Sequence, residues 1–303
     1  MISILFGAGA SLGSAECIPM VPPDGKKLFH ELVKLNGAFY YLSDDVKKIF
    51  DDQGFEAGMA AVPNVSYIII PLQKELAIYL GGFSIAEGNA YSLLFKKIKH
   101  QIRGIAVSTL NYDLLIEQAL DYNKINYSYE GLGRDVDLMK LHGSSNFLTK
   151  LPNNWVMKNV TMGECDTFID TGYYYTVNHH REIVRWCRDP RNELLSPVMA
   201  NYEKGKRVVT SSRVVEKIQT RYQKKIEESD LVILIGVRYI KEDTHIWECI
   251  EKSKCKVIVV DPFPAEIKDW LLLTKKNKHK IIQKGFLESI DEIQRHIKSR
   301  RIF

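Results

Sequence analysis

A chain of 303 residues can bury one large α/β core, or one core with a smaller inserted lobe. Its composition, 45% hydrophobic and 26% charged with a mean hydropathy of −0.18, excludes disordered and fibrous classes, and no stretch reaches the roughly 18 apolar residues of a membrane-spanning helix. The net charge of +5 suits a small polyanionic ligand and is too weak on its own to argue for DNA binding.

In chain order, the first element is the apolar run Ile2–Phe6, one strand long, which enters a glycine turn at once. It lacks the basic start and long apolar segment of a secretory leader. The cysteines (Cys17, Cys165, Cys187, Cys249, Cys255) are odd in number and show no zinc-knuckle or redox spacing. A reducing, cytoplasmic setting is expected.

Ile105–Thr109, Leu231–Ile235 and Lys256–Val260 are further short apolar runs rich in β-branched residues, each followed by a turn and a helical pattern. That alternation predicts buried parallel strands in βαβ units. Helices are predicted over Val214–Ser229, Asp243–Lys252, Pro264–Leu273 and Leu287–Lys298, the last with Leu287, Ile290, Ile293 and Ile297 on its apolar face. Residues 38–103 form a helical insertion in this reading, and 146–207 an irregular, aromatic one.

Three segments carry candidate chemistry. Gly7-Ala8-Gly9-Ala10-Ser11 lies between a strand and a predicted helix, where glycines let backbone approach a pyrophosphate and amides bind its oxygens. A tight turn needing glycine for geometry is the other reading. The usual dinucleotide fingerprint places its third glycine where Leu12 stands, whereas here it falls at Gly13, and no acidic residue ends a second strand about twenty positions on.

Ser108-Thr109-Leu110-Asn111-Tyr112-Asp113 follows the second strand, at the end where open α/β sheets bind ligands. Asn111 can hold a water or a ribose hydroxyl. Equally, Asp113 can cap the next helix while Thr109 and Asn111 shape the turn. Leu138-Met139-Lys140-Leu141-His142-Gly143-Ser144 carries a histidine between an apolar strand and a glycine turn, either as a base suited to neutral pH or as a satisfied structural residue.

In this order the three segments resemble the signatures of the sirtuin (Sir2-like) family: GAG-x-S, T-x-N-x-D and a strand-borne His-Gly. Ser229–Gly236 resembles the family's late strand, Val237–His245 a drifted form of the G-Y-S-L-P-x-x-D loop of bacterial Sir2-like proteins, and Val259-Val260-Asp261-Pro262 their last nucleotide-contacting strand end. The resemblance spans most of the chain. It implies a doubly wound, Rossmann-like parallel sheet in a single Sir2-like domain over 1–303, with helical and irregular insertions. Further, it implies that Gly7, Ala8, Gly9 and Ser11 hold the pyrophosphate of NAD⁺. Thr109, Asn111 and Asp113 would line the nicotinamide–ribose pocket, His142 would be the catalytic histidine, and Gly236, Val237 and Asp261 would surround the adenosine half.

Two departures narrow the function. Sirtuin deacetylases follow the glycine loop with S-G-I-P-D-F-R, whereas Ser14–Met20 keeps Ile18-Pro19 and loses Asp-Phe-Arg. They also carry a four-cysteine zinc ribbon after the histidine. Cys165 and Cys187, with His179 and His180 between them, lack the spacing of a tetrahedral site, so no metal is expected. What remains handles NAD⁺, here as substrate, and similar zinc-free bacterial proteins act as NAD⁺ hydrolases in anti-phage defence. Control by homo-oligomerisation or by a co-encoded hexameric motor ATPase follows by the same analogy. Rival readings are a non-catalytic NAD⁺ or ADP-ribose module, a protein deacylase and a hydride-transferring oxidoreductase. The basic tract Lys275–Lys280 and the tail Arg300-Arg301 are either docking surface or a solvated face.

Overall fold

The computed structural model describes residues 1–132, 136–152, 171–200, 212–274, 276 and 278–299. Cys165 and Arg300-Arg301 lie outside the described residues, as does much of the segment 146–207. Two compact units divide the chain, one formed by Met1–Asp24, Phe83–Leu141 and Lys217–Phe303, the other by Gly25–Gly82 and His142–Glu216.

The first unit is built on a seven-stranded parallel sheet. Its strands are β1 (Ile2–Phe6), β2 (Ile105–Thr109), β3 (Tyr127–Ser128), β4 (Val136–Lys140), β5 (Leu231–Ile235), β6 (Lys256–Val260) and β7 (His279–Ile282). Their order across the sheet is β7-β6-β5-β1-β2-β4-β3. From β1 the chain steps to β2 on one side, and later returns to β5 on the other and continues outward to β7. With right-handed crossovers this reversal places the connecting helices on opposite faces, which is the doubly wound arrangement.

The central strands read as continuous apolar runs because both faces are covered, and every residue of β1, β2 and β5 is buried. Phe6, at the end of β1, packs against Tyr91 (ring centroids 5.2 Å apart) and Phe286 (5.7 Å). Elsewhere in the unit Trp247 and Trp270 lie 4.9 Å apart, beside Tyr239. Full burial of such side chains stabilises by about 1.5–3 kcal/mol each.

All four predicted strands occupy their expected residues. The last helix, Phe286–Lys298, buries Phe286, Ile290, Ile293 and Ile297. Leu287, expected on that face, is instead exposed. The i, i+4, i+7, i+11 series begins one residue earlier, at Phe286, and Leu287 rotates by about 100° toward solvent. His279–Ile282, whose first two residues end the basic tract, is the edge strand β7.

The second unit holds helices Gly25–Val33, Asp44–Gln53, Phe55–Ala61, Ser66–Gly81 and His180–Arg188. Gly143–Thr149 pairs antiparallel with Tyr174–Thr176 on one side and Pro197–Met199 on the other. Phe29 stacks on Phe50 at 4.2 Å, with Phe39 and Phe55 completing the cluster. Among the described residues no helix is long and apolar enough to cross a membrane.

Candidate active site

The register of the sheet sets the site. Phe6 pairs with Ile235 on one side and Thr109 on the other, Thr109 pairs with Lys140, and Ile235 with Val260. Five strands therefore end flush. Gly7, Leu110, Leu141, Gly236 and Asp261 each stand one residue beyond that edge, and the strand order reverses between β1 and β5, where a doubly wound sheet opens its crevice.

Gly7 and Gly9 meet Gly236 at this reversal. The Gly7 amide donates to the Ile235 carbonyl (3.0 Å) and the Gly9 amide to the Gly236 carbonyl (3.0 Å). A Cβ on Gly7 would stand 2.4 Å from the Gly236 oxygen, and one on Gly9 3.0 Å from the Gly236 Cα. Gly236 itself has φ +58°, and a Cβ there would lie 2.1 Å from the Ala10 nitrogen. The glycines thus allow close backbone packing between two turns, the geometric reading of this segment. Two of the turn's amides are already spent. Ala8 is exposed at the first position of helix Ala8–Leu12, where a helix leaves its N–H without an intrahelical partner.

Ser11, Asn111 and Asp113 form one buried cluster. Ser11 Oγ donates to Asp113 Oδ2 (2.7 Å), and Asn111 Nδ2 donates to Ser11 Oγ (2.9 Å) and to the Gly7 carbonyl (2.9 Å). The Thr109 hydroxyl accepts the Asn111 amide at 3.0 Å, fixing the turn. Asp113 Oδ1 accepts the Leu115 amide at 3.2 Å where helix Leu115–Tyr122 begins. Asp113 thus supports the helix start and also binds Ser11.

Tyr91 and Lys140, to which no role was assigned from the sequence, complete the cluster. Asn89 caps helix Ala90–Ile98 by accepting the Tyr91 amide (3.0 Å), and the Tyr91 hydroxyl lies 3.0 Å from Ser11 Oγ. With the one Ser11 hydrogen given to Asp113, the Tyr91 hydroxyl donates to Ser11. Lys140 Nζ donates to the Asp113 carbonyl (2.6 Å) and pairs with Glu117 Oε1 (3.1 Å). Burial pushes the Asp113 carboxyl above its ordinary value, opposed first by Lys140 and then by the Ser11 hydrogen bond. Tyr91 is pushed well up by burial, with the Asp113 charge adding to it.

Val237 is buried, and Asp261, half-buried beyond β6, accepts the Phe263 amide on Oδ1 at 2.7 Å. Its carboxyl is raised by burial. A cleft of about 870 Å³ opens at the opposite, amino-terminal edge, bordered by Asp230, His245, Lys254 and Lys256, and contains none of these residues.

His142 opens the second unit. It is buried, its carbonyl accepts the Ala200 amide at 2.8 Å, and Gly143 follows with φ +80°, where a Cβ would stand 2.0 Å from the Val198 oxygen. The Asn146 amide donates to the Val177 carbonyl (3.0 Å) in the same unit. Cys187 is buried in helix His180–Arg188.

No family profile and no curated protein matches the sequence. Solved structures resemble it in fold. A Sir2 homologue with a single substitution, in complex with ADP-ribose, is 14% identical and superposes with a TM-score of 0.50, covering 100% of this chain and 93% of that one. A structure described as the basis for the mechanism and regulation of Sir2 enzymes is 15% identical, with a TM-score of 0.53 and coverage of 98% and 92%. Their likeness, joined to the parallel sheet and its reversed strand order, establishes that this chain has the Sir2-type fold.

Proposed function

We propose that this protein binds NAD⁺ at the carboxyl edge of the sheet and hydrolyses its nicotinamide–ribose bond. The carrying observation is the buried Ser11–Asn111–Asp113 cluster, which gathers two separate turns of sequence beside the strand-order reversal. The ADP-ribose held by the Sir2 homologue of the same fold supports the choice of ligand.

In this reading the exposed Ala8 amide meets a pyrophosphate oxygen, and Gly236, Val237 and Asp261 flank the adenosine half. Nicotinamide leaves NAD⁺ as a neutral ring, so no general acid is needed, and the sugar passes through an oxocarbenium-like state. Both hydrogens of the Asn111 amide are committed to Gly7 and Ser11, so Asn111 orients water or a ribose hydroxyl through its carbonyl oxygen. Asp113 holds that arrangement and offsets developing positive charge. His142 is assigned to a ribose hydroxyl or to the attacking water as base.

The test is incubation with NAD⁺ and measurement of free nicotinamide, with Asn111→Ala and His142→Ala as controls. Removal of either group is expected to slow release on the order of a hundredfold. Binding of NAD⁺ without release, alone or with the products of neighbouring genes, would make the protein a sensing module. Acyl transfer from an acylated peptide, coupled to nicotinamide release, would make it a deacylase.

An unregulated NAD⁺ hydrolase would deplete the cell that makes it. We therefore place the protein among cytoplasmic, defence-type effectors, held off or switched on by self-assembly or by a co-encoded hexameric motor ATPase. Sedimentation with and without that partner, read beside the activity, tests the assignment.

A further inference from the structure

Lys140 closes β4 between Met139 and Leu141, both fully buried, and its own side chain is 1% exposed. An ammonium in such a place costs several kcal/mol unless it is paired and hydrogen-bonded. It has two partners in the first unit: the Asp113 carbonyl at 2.6 Å and Glu117 Oε1 at 3.1 Å. Glu117 Oε1 also accepts the Tyr129 hydroxyl at 2.9 Å, while buried Oε2 has no hydrogen-bond partner. Lys140 thus pairs with the Glu117 carboxylate and meets Asp113 through its main-chain carbonyl, near enough for its charge to act on the Asp113 carboxyl.

The position of that cation is specific. Lys140 pairs in register with Thr109, so the end of β4 reaches across to the turn that leaves β2 and grips it at its far end, the Asp113 carbonyl. Thr109 anchors the near end through the Asn111 amide. Between these two fixed points lie Asn111 and the start of the Asp113 residue.

We propose that Lys140 is the positioning residue of this site: it fixes the 109–113 turn through the Asp113 carbonyl and supplies the counter-charge that keeps Asp113 a carboxylate. The inference rests on the reading of Asp113 given above. The groups facing that carboxyl are Ser11 and Tyr91 from two helices, Leu115 and Glu117 from a third, Lys140 from β4, and Cys17 at longer range. Burial and the Glu117 charge both favour the protonated form, and Lys140 is the largest opposing influence. Removing it leaves burial and like charge unopposed.

The experiment uses the full chain labelled with ¹³C at aspartate carboxyls, the Asp113 signal being identified by its loss in Asp113→Asn. Lys140→Met is expected to raise the Asp113 titration midpoint by about one pH unit or more. The acid limb of kcat/KM for nicotinamide release should move up by the same amount. Lys140→Arg, which retains the charge, should restore the titration midpoint. If Lys140→Met does not fold, the double variant Lys140→Met/Glu117→Gln, which removes the buried pair together, carries the test, and there the midpoint rises by less. An Asp113 midpoint unchanged in a folded variant overturns the proposal. A wild type that releases no nicotinamide overturns the functional reading, while the titration still decides the role of Lys140.

Discussion

The Ser11 hydroxyl gives its hydrogen to Asp113 at 2.7 Å and takes one from Asn111 at 2.9 Å, so a residue of the first helix ties together two residues of the turn that follows β2. Ser11→Ala leaves one oxygen of a buried carboxylate without its donor, and a buried amide hydrogen and the Tyr91 hydroxyl without their acceptor. Each such loss costs about 1–3 kcal/mol. We expect a fall of that order in unfolding free energy, read from the denaturant midpoint, and a fall on the order of a hundredfold in nicotinamide release. A variant as active as the wild type would remove this cluster from the mechanism.

Asp113 acts as a carboxylate in the proposed reaction, and burial raises its pKa above the ordinary 3.8. Activity should therefore fall with acidity through a limb lying above the ordinary carboxyl range, and that limb should be missing from the residual activity of Asp113→Asn. Stability has the opposite sense. Between the unfolded and the raised folded value the native state binds more protons than the unfolded one, so this group's contribution to stability declines as pH rises through that window. Asp261, Glu75, Asp121 and Asp137 are raised in the same sense, so denaturation over a pH series should show a shallower decline in Asp113→Asn than in the wild type.

Gly236→Ala forces a side chain onto a backbone at φ +58° and toward an Ala10 nitrogen 2.1 Å away. The conformation alone costs about 1–3 kcal/mol, and the collision adds to it, so a large drop in Tm is expected. Gly285→Ala is the control: no atom lies within 4 Å of its Cβ and its φ is −63°, so Tm should barely move.

Cys187 and Cys249 are both pushed up to about 12 by burial. Since the thiolate is the nucleophile, neither should alkylate in the native protein at neutral pH. Peptide mass spectrometry after iodoacetamide should find them modified only once denaturant is present. Rapid native labelling of either would contradict their placement in the core.

Much of the sheet was legible because its central strands are covered on both faces and read as unbroken apolar runs, as in Leu231-Val232-Ile233-Leu234-Ile235. The edge was harder. In β7 only Ile282 is buried, while His279 and Lys280 face solvent, so the first two residues of the strand looked like the end of a charged tract. At Phe286-Leu287 the helical period fits either phase over so few turns, and the deciding contacts with Phe6 and Tyr91 are tertiary.

The candidate site was legible in its outline and obscure in its supports. Asn111 and Asp113 stood out as polar residues after a strand. The stabilising role of Lys140 had a usable signal, a charged residue inside the otherwise apolar Leu138-Met139-Lys140-Leu141, since a lysine in a buried strand requires a partner. Tyr91 gave none, because a tyrosine on the inner face of a helix looks like ordinary core until Ser11 is found beside it. The partner of Gly7 and Gly9 was likewise hidden, as Gly236 stands more than two hundred residues away.

The contact of Gly7 and Gly9 with Gly236 is made by main chain on both sides. Its geometry is consequently indifferent to which side chains stand next to it. The side chains of Ala8, Val237 and Arg238 can be exchanged while the floor beneath them stays in place. Three immovable glycines would thereby leave their neighbours unusually free to diversify.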